Sequence, residues 1–240
     1  MGDLNITSIS KEQAEHLNSN EYDISLKLDG TLIYYINGEL ISPRCNRSDR
    51  FKHILKILKE ADMPNCVGEM FVDEKGSCVF DVSRKENWAK CKFMIFDLLE
   101  PYNKMYYFER LQILNDRVEK LNNPFIYPMI KFKTFDEGWK FVVDNNCEGL
   151  VVRNNTNWFK CKLLKEEKIE IVAHEVGRDK GTFILKNGSR ISGTSIQFVS
   201  QYLAIQQKGK KAIAEIEFCF YTDEGKMFQP RLRQIVEVEK

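Results

Sequence analysis

Three lysines and three carboxylates set the chemistry to look for. Lys27 stands in Ser25-Leu26-Lys27-Leu28-Asp29-Gly30-Thr31, with apolar residues on both sides and an aspartate two places on. A lysine held at a strand end and partly stripped of water sheds its proton more readily, and as a neutral amine it can attack phosphorus or carbon. Glu69 follows Gly68 in an apolar run, Glu148 opens Gly149-Leu150-Val151-Val152, and Lys160 and Lys162 alternate with Phe159 and Cys161. Two places apart on a strand, those two lysines face one side. Two ammonium groups beside carboxylates suit a polyphosphate with a divalent cation. Any one of these pairs also fits an ordinary sheet edge with solvated lysines. Four such sites, each ending an apolar strand, ask for a common pocket.

The elements that must position them are legible as a pattern. Residues 22–42 alternate in strand fashion around Asn37-Gly38, a hairpin turn. Phe51, Ile54, Leu55 and Leu58 recur at helical spacing over 48–60, with Ser48 as the cap. Residues 66–82 read as a second hairpin around Glu74-Lys75-Gly76, and 91–99 as a buried strand. Helices are expected over 106–121 and 135–144, and paired strands over 148–153 and 158–163, joined by the Asn154–Asn157 turn. Beyond Lys165 the texture changes to short strands between glycine turns, at 168–177, 180–186, 189–193, 211–221 and 226–238, with a short helix near 195–206. That pattern predicts a small closed barrel, with the domain boundary near Leu164–Lys168.

Composition narrows the class. The chain has 240 residues, is 43% apolar and carries a net charge of +1, so it holds a real core and is no bulk polycation. Residues 165–240 carry 13 basic and 11 acidic side chains, so any nucleic-acid patch there is local. Seven cysteines form no CxxC pair and, with three histidines, show no zinc spacing, which suits reduced thiols in a cytoplasmic protein. No signal peptide or membrane-spanning run is evident, and no membrane partner is expected.

In order and spacing these residues resemble the covalent nucleotidyltransferases, which comprise ATP-dependent DNA ligases, RNA ligases and mRNA capping enzymes. Lys27-Leu28-Asp29-Gly30 is similar to their KxDG signature. Gly68-Glu69, Phe93-Met94-Ile95-Phe96-Asp97-Leu98-Leu99, Glu148-Gly149-Leu150-Val151-Val152 and Trp158-Phe159-Lys160-Cys161-Lys162 are similar to the four motifs that follow. Lys180-Gly181-Thr182-Phe183 and Gly225–Leu232 resemble the oligonucleotide-binding barrel of ligases. The resemblance implies an α+β fold. A nucleotidyltransferase domain of ATP-grasp-like antiparallel sheets with flanking helices would span 1–164, and a small OB-fold β-barrel 165–240.

It also implies roles. Lys27 would attack the α-phosphate of ATP, release pyrophosphate and form a lysyl-adenylate. Asp29 would orient the lysine or, with Mg2+ or Mn2+, the phosphate, and Glu148 would hold the metal. Glu69 would bind the ribose hydroxyls, Phe96 would stack on adenine and Leu26 would line the nucleotide site. Lys160 and Lys162 would neutralise charge developing on phosphorus. Arg44 would contact the nucleotide phosphate or the nicked strand, and Arg231 would help close the barrel over ATP. Arg44, Arg47, Arg50 and Lys52, with Lys208, Lys210 and Lys211 in the tail, are the candidates for holding nucleic-acid phosphates. The product would be a sealed nick in duplex DNA, made by a minimal, viral or phage-like monomeric ligase.

Four departures keep alternatives open. Leu32 stands where DNA ligases carry arginine, and Ser25 where many carry the glutamate that reads adenine. The linker between Val152 and Trp158 is five residues long, and the basic end of the final motif is not evident in Ile235–Lys240. Thr31-Leu32 and the short linker favour an RNA ligase acting on RNA or RNA-containing nicks. Capping with GTP and a non-catalytic nucleic-acid-binding module are further alternatives.

Overall fold

A computed structural model describes residues 6–17, 20–44, 47–72, 79–177, 180–222 and 224–239. The chain divides into two compact units, Met1–Lys162 and Leu163–Lys240. In the first, chain order is β1 (Thr7–Ser8), α1 (Lys11–Glu15), β2 (Asp23–Lys27), β3 (Thr31–Ile36), β4 (Glu39–Ile41), α2 (Lys52–Glu60), β5 (Cys66–Phe71) and α3 (Val79–Ser83). There follow β6 (Lys92–Leu98), α4 (Tyr107–Leu121), β7 (Ile126–Pro128), β8 (Lys131–Phe132), α5 (Phe135–Asp144), β9 (Gly149–Arg153) and β10 (Trp158–Lys162).

These strands form two five-stranded sheets, ordered β1-β10-β9-β2-β8 and β4-β3-β5-β6-β7. Alternation decides what each face does. In the first sheet Ile24, Leu26, Leu150 and Val152 are buried, and α5 packs against β2 and β9. In the second, Phe93 and Ile95 are fully buried, and α4 packs on β6 and β7. The residues between them in sequence (Ser25 and Lys27, Val151 and Arg153, Met94 and Phe96) line a cleft. Helix α5 is capped by Thr134, whose Oγ1 accepts the Glu137 N–H at 3.2 Å.

Three expectations change. Residues 22–42 are not one hairpin: β3 and β4 pair around Asn37 and Gly38, with φ of 50° and 78°, but β2 belongs to the other sheet. The chain crosses between sheets at Leu28-Asp29-Gly30, where a Cβ on Gly30 would lie 2.2 Å from the Met70 carbonyl oxygen. Ser48 does not cap a helix, because α2 begins only at Lys52; its N–H instead donates to the Leu40 carbonyl at 2.8 Å beside β4. Helix α2 starts at Lys52 after Phe51, with no side-chain cap. The turn at Glu74-Lys75-Gly76 lies outside the described residues, and Val79–Ser83 is helical rather than a returning strand, with Val82 buried. Short 3-10 turns at Lys85–Lys90 and Tyr102–Lys104, and the strands β1, β7 and β8, were not anticipated.

The second unit holds β11 (Lys165–Val176), β12 (Lys180–Leu185), β13 (Arg190–Ser195), α6 (Ile196–Gln207), β14 (Lys211–Phe218) and β15 (Arg231–Val238). Their order is β13-β12-β11-β14-β15, and the edge strands β13 and β15 come into contact, which curls the sheet into a small barrel. Strand β11 serves both halves. Residues 165–170 pair with β14, and from Ile171 on it pairs with β12 across an irregularity between Ile171 and Ala173. Phe183, Leu185, Ala214, Ile216 and Phe218 fill the core beneath α6. Strands β14 and β15 are shorter than expected, since beyond Phe218 the chain leaves the ladder and the Phe228 N–H donates to the Phe220 carbonyl at 2.8 Å.

Cys66, Cys91, Cys147, Cys161 and Cys219 form no disulfide among the described residues; Cys45 and Cys78 lie outside them. Among the described residues no helix is long and apolar enough to cross a membrane.

Candidate active site

The cleft of the first unit has a volume of about 210 Å3 and is walled by both sheets. Ser25, Lys27, Val151, Arg153 and Trp158 come from one, and Leu32, Glu69, Met94 and Phe96 from the other. Strand register sets the surroundings of Lys27, which lines the cleft. Lys27 and Lys162 both sit opposite Gly149, one on each side of β9. Gly149 leaves room between them, and a Cβ there would meet the Cys161 carbonyl oxygen at 2.1 Å. The carboxylate of the preceding residue, Glu148, accepts from both ammonium groups: Oε2 lies 2.5 Å from Lys27 Nζ and Oε1 2.7 Å from Lys162 Nζ. The Glu148 side chain is 7% exposed, so two cations balance one nearly buried anion.

Glu69 faces this cluster from β5. Burial pushes its carboxyl up to about 8; Lys27 and the Gly30 N–H pull it down, and Glu148 and Asp29 push it further up. Three carboxylates therefore share one field with the lysines. Asp29 sits half-buried just after β2, and Lys160 faces the same side of β10 as Lys162. Among the described residues no group of three or more His, Cys, Asp and Glu side chains converges on a metal position. Mg2+ needs no such cage, since one or two carboxylates with substrate phosphates and water complete its shell. Asp29 and Glu148 fit that limited role.

The far end of the cleft holds residues that the sequence did not single out. Arg153 is 1% exposed, and its guanidinium carbon lies 3.5 Å from the ring centres of both Tyr107 and Trp158. Its Nη2 donates to Asp97 Oδ2 at 2.8 Å and its Nη1 to the Phe96 carbonyl at 3.3 Å, while Nε is buried without a partner. Asp97 also accepts from Arg110 Nε at 2.7 Å, a bond that raises the arginine's pKa. Burial lowers the pKa of Arg153. Phe96 is half-buried and meets Trp158 edge to face at 6.0 Å. Leu26 lines the cleft from β2 and is buried.

The remaining candidates lie elsewhere. Arg44 is exposed in the turn after β4 and does not line the cleft. Arg47 pairs with Glu39 at 3.0 Å, Arg50 lies 5.5 Å from the Trp88 ring centre, and Lys52 opens α2 in solvent. In the second unit Lys208 and Lys210 share Glu237, at 2.9 and 3.2 Å, and Lys211 approaches Glu170 at 3.6 Å, so their charge is balanced locally. Arg231 is exposed at the start of β15.

No protein-family model matches the sequence, and no curated protein matches it significantly. Solved structures match it by shape. A Lig E DNA ligase, described as binding DNA with a minimal scaffold, is 18% identical with a TM-score of 0.73, covering 98% of this chain and 100% of that one. Pmar-Lig is 17% identical with a TM-score of 0.66, covering 96% and 67%. A mycobacterial DNA ligase D complexed with ATP and MES is 16% identical with a TM-score of 0.55, covering 98% and 94%. The chain therefore has the fold of a nucleotidyltransferase followed by an OB-fold barrel. At these identities the likeness shows the fold alone, and the chemistry rests on the cleft.

Proposed function

We propose that this chain is an ATP-dependent DNA ligase that seals 5′-phosphate/3′-hydroxyl nicks in duplex DNA. The observation that carries the reading is the shared carboxylate: Lys27, which lines the cleft with Glu69 and Phe96, shares Glu148 with Lys162. A half-buried amine held beside a second cation suits attack on a phosphoanhydride.

Lys27 Nζ, reacting as the neutral amine, forms a P–N bond to the α-phosphorus of ATP and gives up a proton to solvent. The P–O bond to pyrophosphate breaks, and pyrophosphate leaves with the bonding pair. Lys162 and Lys160 neutralise charge on the α-phosphate oxygens. Glu69 holds the ribose hydroxyls and Phe96 stacks on the base. Asp29 and Glu148 would hold Mg2+, which supplies charge neutralisation at the triphosphate. The AMP then passes to the 5′-phosphate of a nick, and the adjacent 3′-hydroxyl displaces it. The second unit acts as an OB-fold partner on nucleic acid, and Arg44, Arg50 and Lys52 are the exposed cations of the first unit that suit a phosphate backbone.

The similar structures are DNA ligases, one of them solved with ATP, which favours ATP and a DNA strand. One observation favours the RNA-joining alternative: Leu32, in place of an arginine, lines the cleft. Sealing of nicked DNA, nicked DNA–RNA hybrids and single-stranded RNA by the purified protein separates them. Joining of nicked DNA is expected; joining confined to RNA 3′-ends would overturn the DNA reading.

A further inference from the structure

We propose that Tyr107 is a positioning residue for nucleotide binding, tying together the two sheets that wall the cleft. The proposal rests on the adenylation reading above. Helix α4 packs on β6 and β7 of the second sheet, yet Tyr107, its first residue, bonds to the first sheet. Its backbone N–H donates to Asn155 Oδ1 at 2.7 Å, in the β9–β10 turn. Its hydroxyl donates to Asp23 Oδ2 at 2.8 Å, on the strand that ends at Lys27. Its ring lies against one face of the Arg153 guanidinium, with Trp158 on the other.

Arg153 passes the constraint back. Its Nη1 holds the Phe96 carbonyl, and its Nη2 holds Asp97, which also anchors Arg110 of α4. A continuous set of contacts thus runs from Asp23 through Tyr107 and Arg153 to Phe96. One end is the strand of the nucleophile and the other is an aromatic ring in the opposite wall. Asp23 also pairs with Lys131 at 2.7 Å, so its carboxylate is held from two sides. A buried hydroxyl at 2% exposure needs some partner, and here that partner lies on the opposite wall while the ring stacks on a cation held by both. With this strut cut, the walls would keep their own folds but lose their spacing, which weakens nucleotide binding more than it slows chemistry in the bound complex.

The test uses Tyr107→Leu and Tyr107→Phe in the full chain. KM for ATP and kcat of lysyl-adenylate formation are measured per active site, together with the thermal midpoint. Tyr107→Leu is expected to raise KM about tenfold with little change in kcat, the scale of one desolvated cation–π contact. Tyr107→Phe keeps the ring on Arg153 and is expected to rescue most of that loss, leaving KM raised about threefold by the missing hydroxyl. Wild-type KM in both variants, with only the midpoint lowered, would overturn the proposal and leave Tyr107 as packing. If Tyr107→Leu does not fold, an unchanged KM in Tyr107→Phe overturns it alone. A wild-type chain that forms no adenylate contradicts the reading of the site itself; an active wild type with unmoved variants contradicts only the role of Tyr107.

Discussion

Lys27 and Lys162, 135 residues apart in sequence by their numbers, bind opposite oxygens of one carboxylate, that of Glu148. The arrangement keeps two ammonium groups together at the Lys27 end of β2. It also makes Glu148 the residue whose loss is felt by both.

Replacing Glu148 by Gln is expected to keep the fold and to lower the rate of lysyl-adenylate formation by about a hundredfold, as removal of a well-placed charged group does. Glu148→Ala also leaves two partly buried cations without their acceptor and should cost about 2 kcal/mol, less than a fully buried pair because both lysines keep some contact with water. Single-turnover adenylation and denaturant midpoints check the two parts.

Glu69 makes stability depend on pH in an unusual direction. Its folded value of about 8 lies above the ordinary 4.5, so between those values the native state holds the extra proton. Stability therefore falls as pH rises through this window, and the loss is complete above about 8. Glu69→Gln should remove that slope and raise the thermal midpoint at alkaline pH. Midpoints of both proteins across the window show whether the slopes differ; parallel profiles contradict the assignment.

The Arg153–Asp97–Arg110 network should be costly to break from one side. Asp97 is 7% exposed, and Asp97→Asn leaves a nearly fully buried guanidinium without its anion. A loss of about 3–5 kcal/mol is expected in equilibrium unfolding of the first unit. A loss below about 1 kcal/mol would place the network among surface pairs instead.

Gly30 is expected to tolerate no side chain. In Gly30→Ala the new Cβ would meet the Met70 carbonyl oxygen at 2.2 Å and Glu69 Cγ at 3.0 Å. Backbone cannot yield as a side-chain end can, so β3 or β5 must shift, at a cost of about 1–3 kcal/mol. Because Glu69 moves with it, ATP binding should weaken as well, which a titration on the folded variant measures.

How much of this was readable in the sequence differs by residue. The Lys27-x-Asp29-Gly30 and Glu148-Gly149 runs carry their own reason, because their glycines mark places where strands approach too closely for a side chain. Lys160 and Lys162 were placed on one face by alternation alone. Arg153 was not found, because an arginine ending an apolar strand reads as solvated. Its carboxylate partner lies 56 positions away, and its aromatic faces come from a helix and a neighbouring strand. Tyr107 reads as one apolar position of an amphipathic helix, and nothing local says that its hydroxyl reaches Asp23, 84 positions back. The tail lysines have charge partners that spacing does not reveal. Lys208, Lys210 and Lys211 look like a basic patch in sequence, but the β14–β15 and β11–β14 pairings bring Glu237 and Glu170 alongside them.

The most direct test is incubation of the intact protein with ATP labelled in its α-phosphate and Mg2+, followed by denaturation and mass analysis of the modified peptide. One AMP per chain, joined to Lys27 through a phosphoramidate, is expected, with no label in Lys27→Ala. Absence of any covalent nucleotide with ATP, or label that persists in Lys27→Ala, would contradict that role for Lys27.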